Sequence, residues 1–191
     1  MKAMTPRTER KAAAYLAGFA CSVLATTAAA GEPSRVVDAV GPLKVGKACP
    51  SFGGYTPQND ILSLAKLLRP DGAAPASVVV ISFFATACKA CKERLPSVER
   101  VVAALADKGA RGVLIDVGDE ADAVTAFAQN QKLRLPIILD RFTKIVDRLG
   151  VGQKLPRTLV VGRGGDVRTI FDHEGDDFEQ ALRSAVLTAM R

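Results

Sequence analysis

Residues Val78 to Pro96 read VVVISFFATACKACKERLP. With Ser77, the first part is a continuous β-branched and aromatic run, SVVVISFF, the pattern of a strand buried on both faces inside a sheet covered by helices. Ala85-Thr86-Ala87 follow, and from Lys89 to Lys108 apolar residues recur at Leu95, Val98, Val101, Val102 and Leu105, a helical spacing. Cys88 and Cys91 therefore stand where a strand becomes a helix.

That position bears on their chemistry. The thiolate is the reactive form of cysteine, and the unpaired N–H groups at a helix N-terminus stabilise it, as do the nearby charges of Lys89 and Lys92. The two-residue spacing puts Cys91 one turn deeper, placed to attack a mixed disulfide formed at Cys88. Cys88 is the expected nucleophile and Cys91 the resolving thiol, together a redox disulfide. A zinc site would need two further ligands, and only Cys49 and His173 remain, in ordinary contexts. A permanent structural bridge would close only a tiny loop. No metal and no cofactor are expected, because the two cysteines carry both electrons.

Outward from this centre the chain alternates. Arg111 to Val117 (RGVLIDV) reads as a second buried strand, Asp119 to Lys132 as an amphipathic helix, Pro136 to Leu139 as a short strand and Phe142 to Leu149 as a helix stopped by Gly150. Arg157 to Val161 and Val167 to Phe171 form a hairpin around Gly164-Gly165-Asp166, and Phe178 to Met190 is a closing helix. On the N-terminal side, Ile61-Leu62, Leu64-Ala65 and Leu67-Leu68 suggest a short helix capped by Asn59 or Asp60. The pattern predicts an α/β fold: a central mixed sheet with helices on both faces.

The first thirty residues differ from the rest. Lys2, Arg7, Arg10 and Lys11 precede an apolar run from Ala12 to Leu24, and small residues end at Ala28-Ala29-Ala30. This is a signal-peptide layout, with cleavage expected after Ala30 and a periplasmic or otherwise exported product. An uncleaved anchor and lipidation at Cys21 are the competing readings, and membrane contact is expected only under those; Gly18 stands where a lipobox wants an aliphatic residue. Residues 31–57, rich in Gly and Pro, read as an N-terminal arm with room for one edge strand at Val36 to Val40, and 58–191 as the folded domain. Removing residues 1–30 takes 26 basic and 20 acidic residues to 22 and 19, a net charge of +3. With no basic block interleaved with aromatics, nothing argues for nucleic acid.

The stretch Val78 to Pro96 resembles the active-site strand and helix of the TlpA/ResA-like thioredoxins, membrane-associated or periplasmic disulfide reductases of bacteria. The resemblance runs from about Val45 to the C-terminus, through Val45-Gly46-Lys47, Leu114-Ile115-Asp116-Val117, Leu135 to Asp140, Leu149-Gly150-Val151 and Leu155-Pro156-Arg157-Thr158. It implies a thioredoxin-like fold and a cis Pro156 beside the cysteines. Leu155 and Pro156 are the implied substrate-binding residues, and the implied partners are a disulfide-bearing exported protein, such as an apocytochrome in cytochrome c maturation, and a membrane electron donor. Pro96 resembles the proline within the active-site helix.

This chain also departs from the pattern. Ala87 stands where an aromatic usually precedes the first cysteine. Ser82 matches the position of the buried acid in thioredoxin itself, and Arg94, beside Glu93, the position of a glutamate in ResA-like proteins. A guanidinium near the cysteines would favour the reduced thiolate and make the pair more oxidising. Cys49 reads as a buried small hydrophobe, and His173 is assigned no role. Two other functions compete with disulfide exchange: a peroxiredoxin-like peroxidase, suggested by Thr86 two residues before Cys88, and a non-catalytic copper-binding carrier, which the CxxC spacing weakens.

Overall fold

The computed structural model describes residues 43–152, 154–172 and 177–191. The expected leader, the Val36 to Val40 edge strand and His173 lie outside the described residues. From Leu43 the backbone is tied to the hairpin near the C-terminus: Gly46 N donates to the Val167 carbonyl (2.7 Å), Val167 N to the Lys47 carbonyl (2.8 Å) and Cys49 N to the Gly165 carbonyl (2.8 Å).

Strand β1 (Gly53–Tyr55), strand β2 (Ile61–Ser63) and helix α1 (Leu64–Leu68) come next. β1 and β2 pair antiparallel, Tyr55 opposite Ile61 and Gly54 opposite Leu62. This corrects the helix expected from Ile61 with a cap at Asn59 or Asp60. Thr56 N donates to the Asp60 carbonyl (2.9 Å), closing a hairpin turn in which Asn59 takes φ 66°. Ser63 is the cap instead, its Oγ accepting from Lys66 N at 3.2 Å.

The main sheet contains β3 (Val78–Phe84), β4 (Ala110–Val117), β5 (Ile137–Asp140), β6 (Arg157–Gly162) and β7 (Val167–Phe171), in the order β5-β4-β3-β6-β7. β3, β4 and β5 run parallel, while β6 is antiparallel to β3 and β7 to β6. Helices α2 (Lys89–Ala104), α3 (Ala121–Gln131), α4 (Lys144–Leu149) and α5 (Phe178–Ala189) connect and close the sheet. The helix expected to reach Lys108 stops earlier. Ala106–Lys108 form a 3-10 turn ended by Gly109 at φ 86°, where a Cβ would come within 2.8 Å of Ser77 Oγ.

Every residue of β3 is buried. Val79, Ile81 and Phe83 pack with α1 and α4 on one face; Val78, Val80 and Phe84 pack with α2, α3 and α5 on the other. Two covered faces explain a strand that is apolar throughout rather than alternating, each large side chain contributing roughly 1.5–3 kcal/mol. Because β3, β4 and β5 are parallel, Phe84, Val117 and Asp140 end at one edge of the sheet, and the chain enters α2 from there.

Candidate active site

After Phe84 the backbone leaves the sheet in a turn closed by Cys88 N donating to the Ala85 carbonyl at 3.0 Å. Cys88 is the N-cap residue of α2 with extended backbone (φ −75°, ψ 107°), and its Sγ accepts from Cys91 N at 3.1 Å. The two cysteines are joined in a disulfide, their Cα atoms 5.2 Å apart. Cys91 has no exposed surface and lies among Leu95, Val98 and the other side chains under α2, whereas Cys88 is half-buried between exposed Ala87 and Lys89. The disulfide thus joins a partly exposed residue, Cys88, to a wholly covered one, Cys91.

The Leu155–Pro156 peptide bond is cis. Arg157 pairs with Phe83 in the β3–β6 register, so Leu155 and Pro156 lie beyond it, at the end of β3 that leads to Cys88. Pro156 is buried; Leu155 is partly buried and packs against the core on both faces of the sheet. Arg157 steadies this loop from behind, its Nη1 donating to the Val151 carbonyl and its Nη2 lying 3.5 Å from the Asp172 carboxylate.

The departures noted in the sequence have structural answers. Ser82, fully buried, pairs its hydroxyl with that of Thr158 at 3.0 Å, so the position matched to a buried acid holds a neutral hydrogen bond. Arg94 is buried on α2 with its guanidinium carbon 4.2 Å from the Phe178 ring centroid, and Phe178 meets Phe171 edge-on at 5.5 Å. Lys92 extends towards the Phe127 ring (6.0 Å), and Glu93 is exposed.

Two acids that the sequence reading passed over belong to this region. Asp116 pairs with Phe84 in the β3–β4 register and is wholly buried; its Oδ2 accepts from Asp119 N at 3.1 Å. Asp119 in turn accepts from Thr86 N at 2.6 Å, two residues before Cys88. Burial, followed by a side-chain hydrogen bond and charge repulsion from Asp119, pushes the Asp116 carboxyl up to about 8. The one available signal was an aspartate set among Leu114, Ile115 and Val117 in a strand. Asp140 on β5, also buried, accepts from Ile145 N (3.1 Å) and Val146 N (2.9 Å) and so caps α4.

Cys49 lies in the core on the α1 and α4 face, across the sheet from Cys91, and burial pushes its thiol up to about 12. Among the described residues no group of three or more His, Cys, Asp or Glu side chains is gathered to hold a metal ion.

Comparison with known proteins agrees with this fold. A family model described as AhpC/TSA family matches residues 45–170. The thiol-disulfide oxidoreductase ResA of Geobacillus thermodenitrificans is 29% identical over 108 residues, covering 56% of this chain and 62% of that protein's own length. ResA of Bacillus cereus is 26% identical over 125 residues, covering 65% and 68%. Among solved structures, a thioredoxin-family thiol:disulfide interchange protein from Chlorobium tepidum superposes with TM-score 0.64 at 20% identity, over 80% of this chain and 99% of that one. A secreted Mycobacterium tuberculosis disulfide oxidoreductase superposes with TM-score 0.60 at 20% identity, over 72% and 95%. A fold read from the run around Cys88, a matched family model over most of the domain and ResA relatives converge: the chain belongs to the AhpC/TSA family, as a TlpA/ResA-like thioredoxin.

Proposed function

We propose that this protein is an exported thiol-disulfide oxidoreductase that acts as a disulfide reductase, with Cys88 as nucleophile, Cys91 as resolving thiol and Leu155-Pro156 as the seat of the substrate backbone. The observation that carries this is the Cys88–Cys91 bond at the first turn of α2, with Cys88 only partly buried and Cys91 wholly covered. The names of the ResA relatives support the reaction class.

In the reductive direction the Cys88 thiolate attacks one sulfur of a substrate disulfide, forming a mixed disulfide and expelling the other substrate sulfur as a thiolate that takes a proton from water. Cys91 releases its proton to water and attacks Cys88 Sγ, forming the Cys88–Cys91 bond and expelling the second substrate thiolate. Two electrons have then passed from the dithiol to the substrate. A membrane electron donor would return the pair to the dithiol, and residues 1–30 would deliver the domain to an exported, periplasmic location where apocytochromes of cytochrome c maturation are one substrate class.

The test is dithiothreitol-driven reduction of insulin by wild type and Cys88→Ser, with copper content and peroxide consumption measured alongside. Loss of insulin reduction in Cys88→Ser supports exchange. Equal insulin reduction by both forms, stoichiometric copper, or peroxide consumption in place of exchange would overturn it.

A further inference from the structure

We propose that Asp116 is a positioning residue for the Cys88–Cys91 pair, acting through Asp119 and the backbone of Thr86. The inference rests on the exchange reading above. Asp116 is wholly buried on the face of the sheet that carries Phe84 and Cys91, and its Oδ1 meets no hydrogen-bond partner among the described residues. A buried carboxylate with an unpaired oxygen is unfavourable, and sharing a proton with a neighbouring acid removes the problem.

That neighbour is Asp119, half-buried in the loop after β4, whose own N–H donates to Asp116 Oδ2 and whose carboxylate holds Thr86 N at 2.6 Å. Thr86 lies in the turn that Cys88 N closes on the Ala85 carbonyl. A line of hydrogen bonds thus runs from a buried acid to the turn that delivers the outer sulfur.

The line depends on the proton. With Asp116 neutral, one negative charge sits on Asp119 and Thr86 stays held. Ionised Asp116 sets two carboxylates against each other, with Asp140 on β5 adding repulsion from the other side. Around them α2 turns the Lys92 ammonium towards the Phe127 ring, α3 presents Val124 and Phe127, and β3 presents Phe84, while the charged groups that act on Asp116 are the acids Asp119 and Asp140. Asp119, the less buried of the two, moves most readily, and its movement frees Thr86. Asp116 is half ionised near pH 8, within reach of experiment.

Single-turnover oxidation of the reduced full chain by oxidised glutathione, followed between about pH 5.5 and 9.5, tests this. The wild-type rate, after the rise due to Cys88 ionisation, is expected to fall about tenfold at the alkaline end, the effect of losing one charge-assisted hydrogen bond. Asp116→Asn, which carries no charge at any pH and keeps an oxygen to accept from Asp119 N, keeps the rise and loses the fall. Asp119→Asn, which removes the repelling charge but keeps an acceptor for Thr86 N, also loses the fall and carries the test if Asp116→Asn does not fold. Superimposable profiles in wild type and variants, or a wild type without the alkaline fall, would overturn this role alone. A wild type that exchanges at no pH overturns the exchange reading, and this role with it.

Discussion

The backbone N–H of Thr86 donates to the Asp119 carboxylate across 2.6 Å, joining the turn that ends in Cys88 to the loop after β4, thirty-three residues away in sequence. A short bond to a charged acceptor is the stronger kind, and here it restrains the one turn that aims a reactive sulfur. Asp119→Ala is expected to slow exchange near neutral pH by about tenfold, and Asp119→Asn by much less, since the amide oxygen still accepts. Equal rates for wild type and Asp119→Ala would show that the bond does not position Cys88.

Asp116 also bears on stability. An acid kept neutral in the fold but free to ionise in the unfolded chain weakens the fold as pH rises from 3.8 towards about 8; below that window both states hold the proton and the cost disappears. The cost near neutral pH is on the order of 2–4 kcal/mol. Asp116→Asn is therefore expected to melt about 5 °C or more above wild type near pH 7.5, with the gap closing towards pH 4. A pH-independent difference, or none, would contradict the assignment of a buried neutral acid.

The Ser82–Thr158 hydroxyl pair gives a prediction of opposite sign. Ser82→Ala leaves the buried Thr158 hydroxyl without this partner, at a cost of about 1–3 kcal/mol in urea unfolding. Adding Thr158→Val removes the orphaned group and should recover much of the loss, whereas simple additivity would show the two hydroxyls to be independent.

Cys49 should behave as core. With its thiol pushed up to about 12 and no exposed surface, it is expected to resist iodoacetamide in the native protein near pH 8 and to react after unfolding, as read by peptide mapping. Native labelling at a rate like that of reduced Cys88 would contradict the burial.

Much of this molecule was legible in the run from Val78 to Pro96. A strand buried on both faces leaves a one-sided trace, uninterrupted apolar residues, and a helix packed on it leaves the spacing of Leu95, Val98, Val101 and Val102. Ile61 and Leu62 misled because apolar pairs at helical spacing also suit a short strand, and the partner that makes them one, Gly53–Tyr55, lies in a segment whose glycines suggest a loop. Gly54 is there for fit: a Cβ would come within 2.7 Å of an Ile138 methyl. Asp119 read as a helix start, yet α3 begins at Ala121 and Asp119 serves Thr86 instead. The Asp116–Asp119–Thr86 line joins β4 to the turn after β3, and only the parallel register that sets Asp116 beside Phe84 brings its parts together.

The central claim, that Cys88 attacks and Cys91 resolves, is tested most directly by trapping the intermediate. Cys91→Ser and Cys88→Ser, each reduced and then mixed with a disulfide-bearing protein such as insulin, are compared by intact-mass spectrometry. Cys91→Ser is expected to accumulate a mixed disulfide through Cys88, because the resolving thiol one turn away is gone and Cys49 is buried across the sheet, and Cys88→Ser, in which the Cys91 sulfur is covered, is expected to accumulate essentially none at Cys91. Adducts on Cys88→Ser but not on Cys91→Ser, or on neither, would contradict that claim.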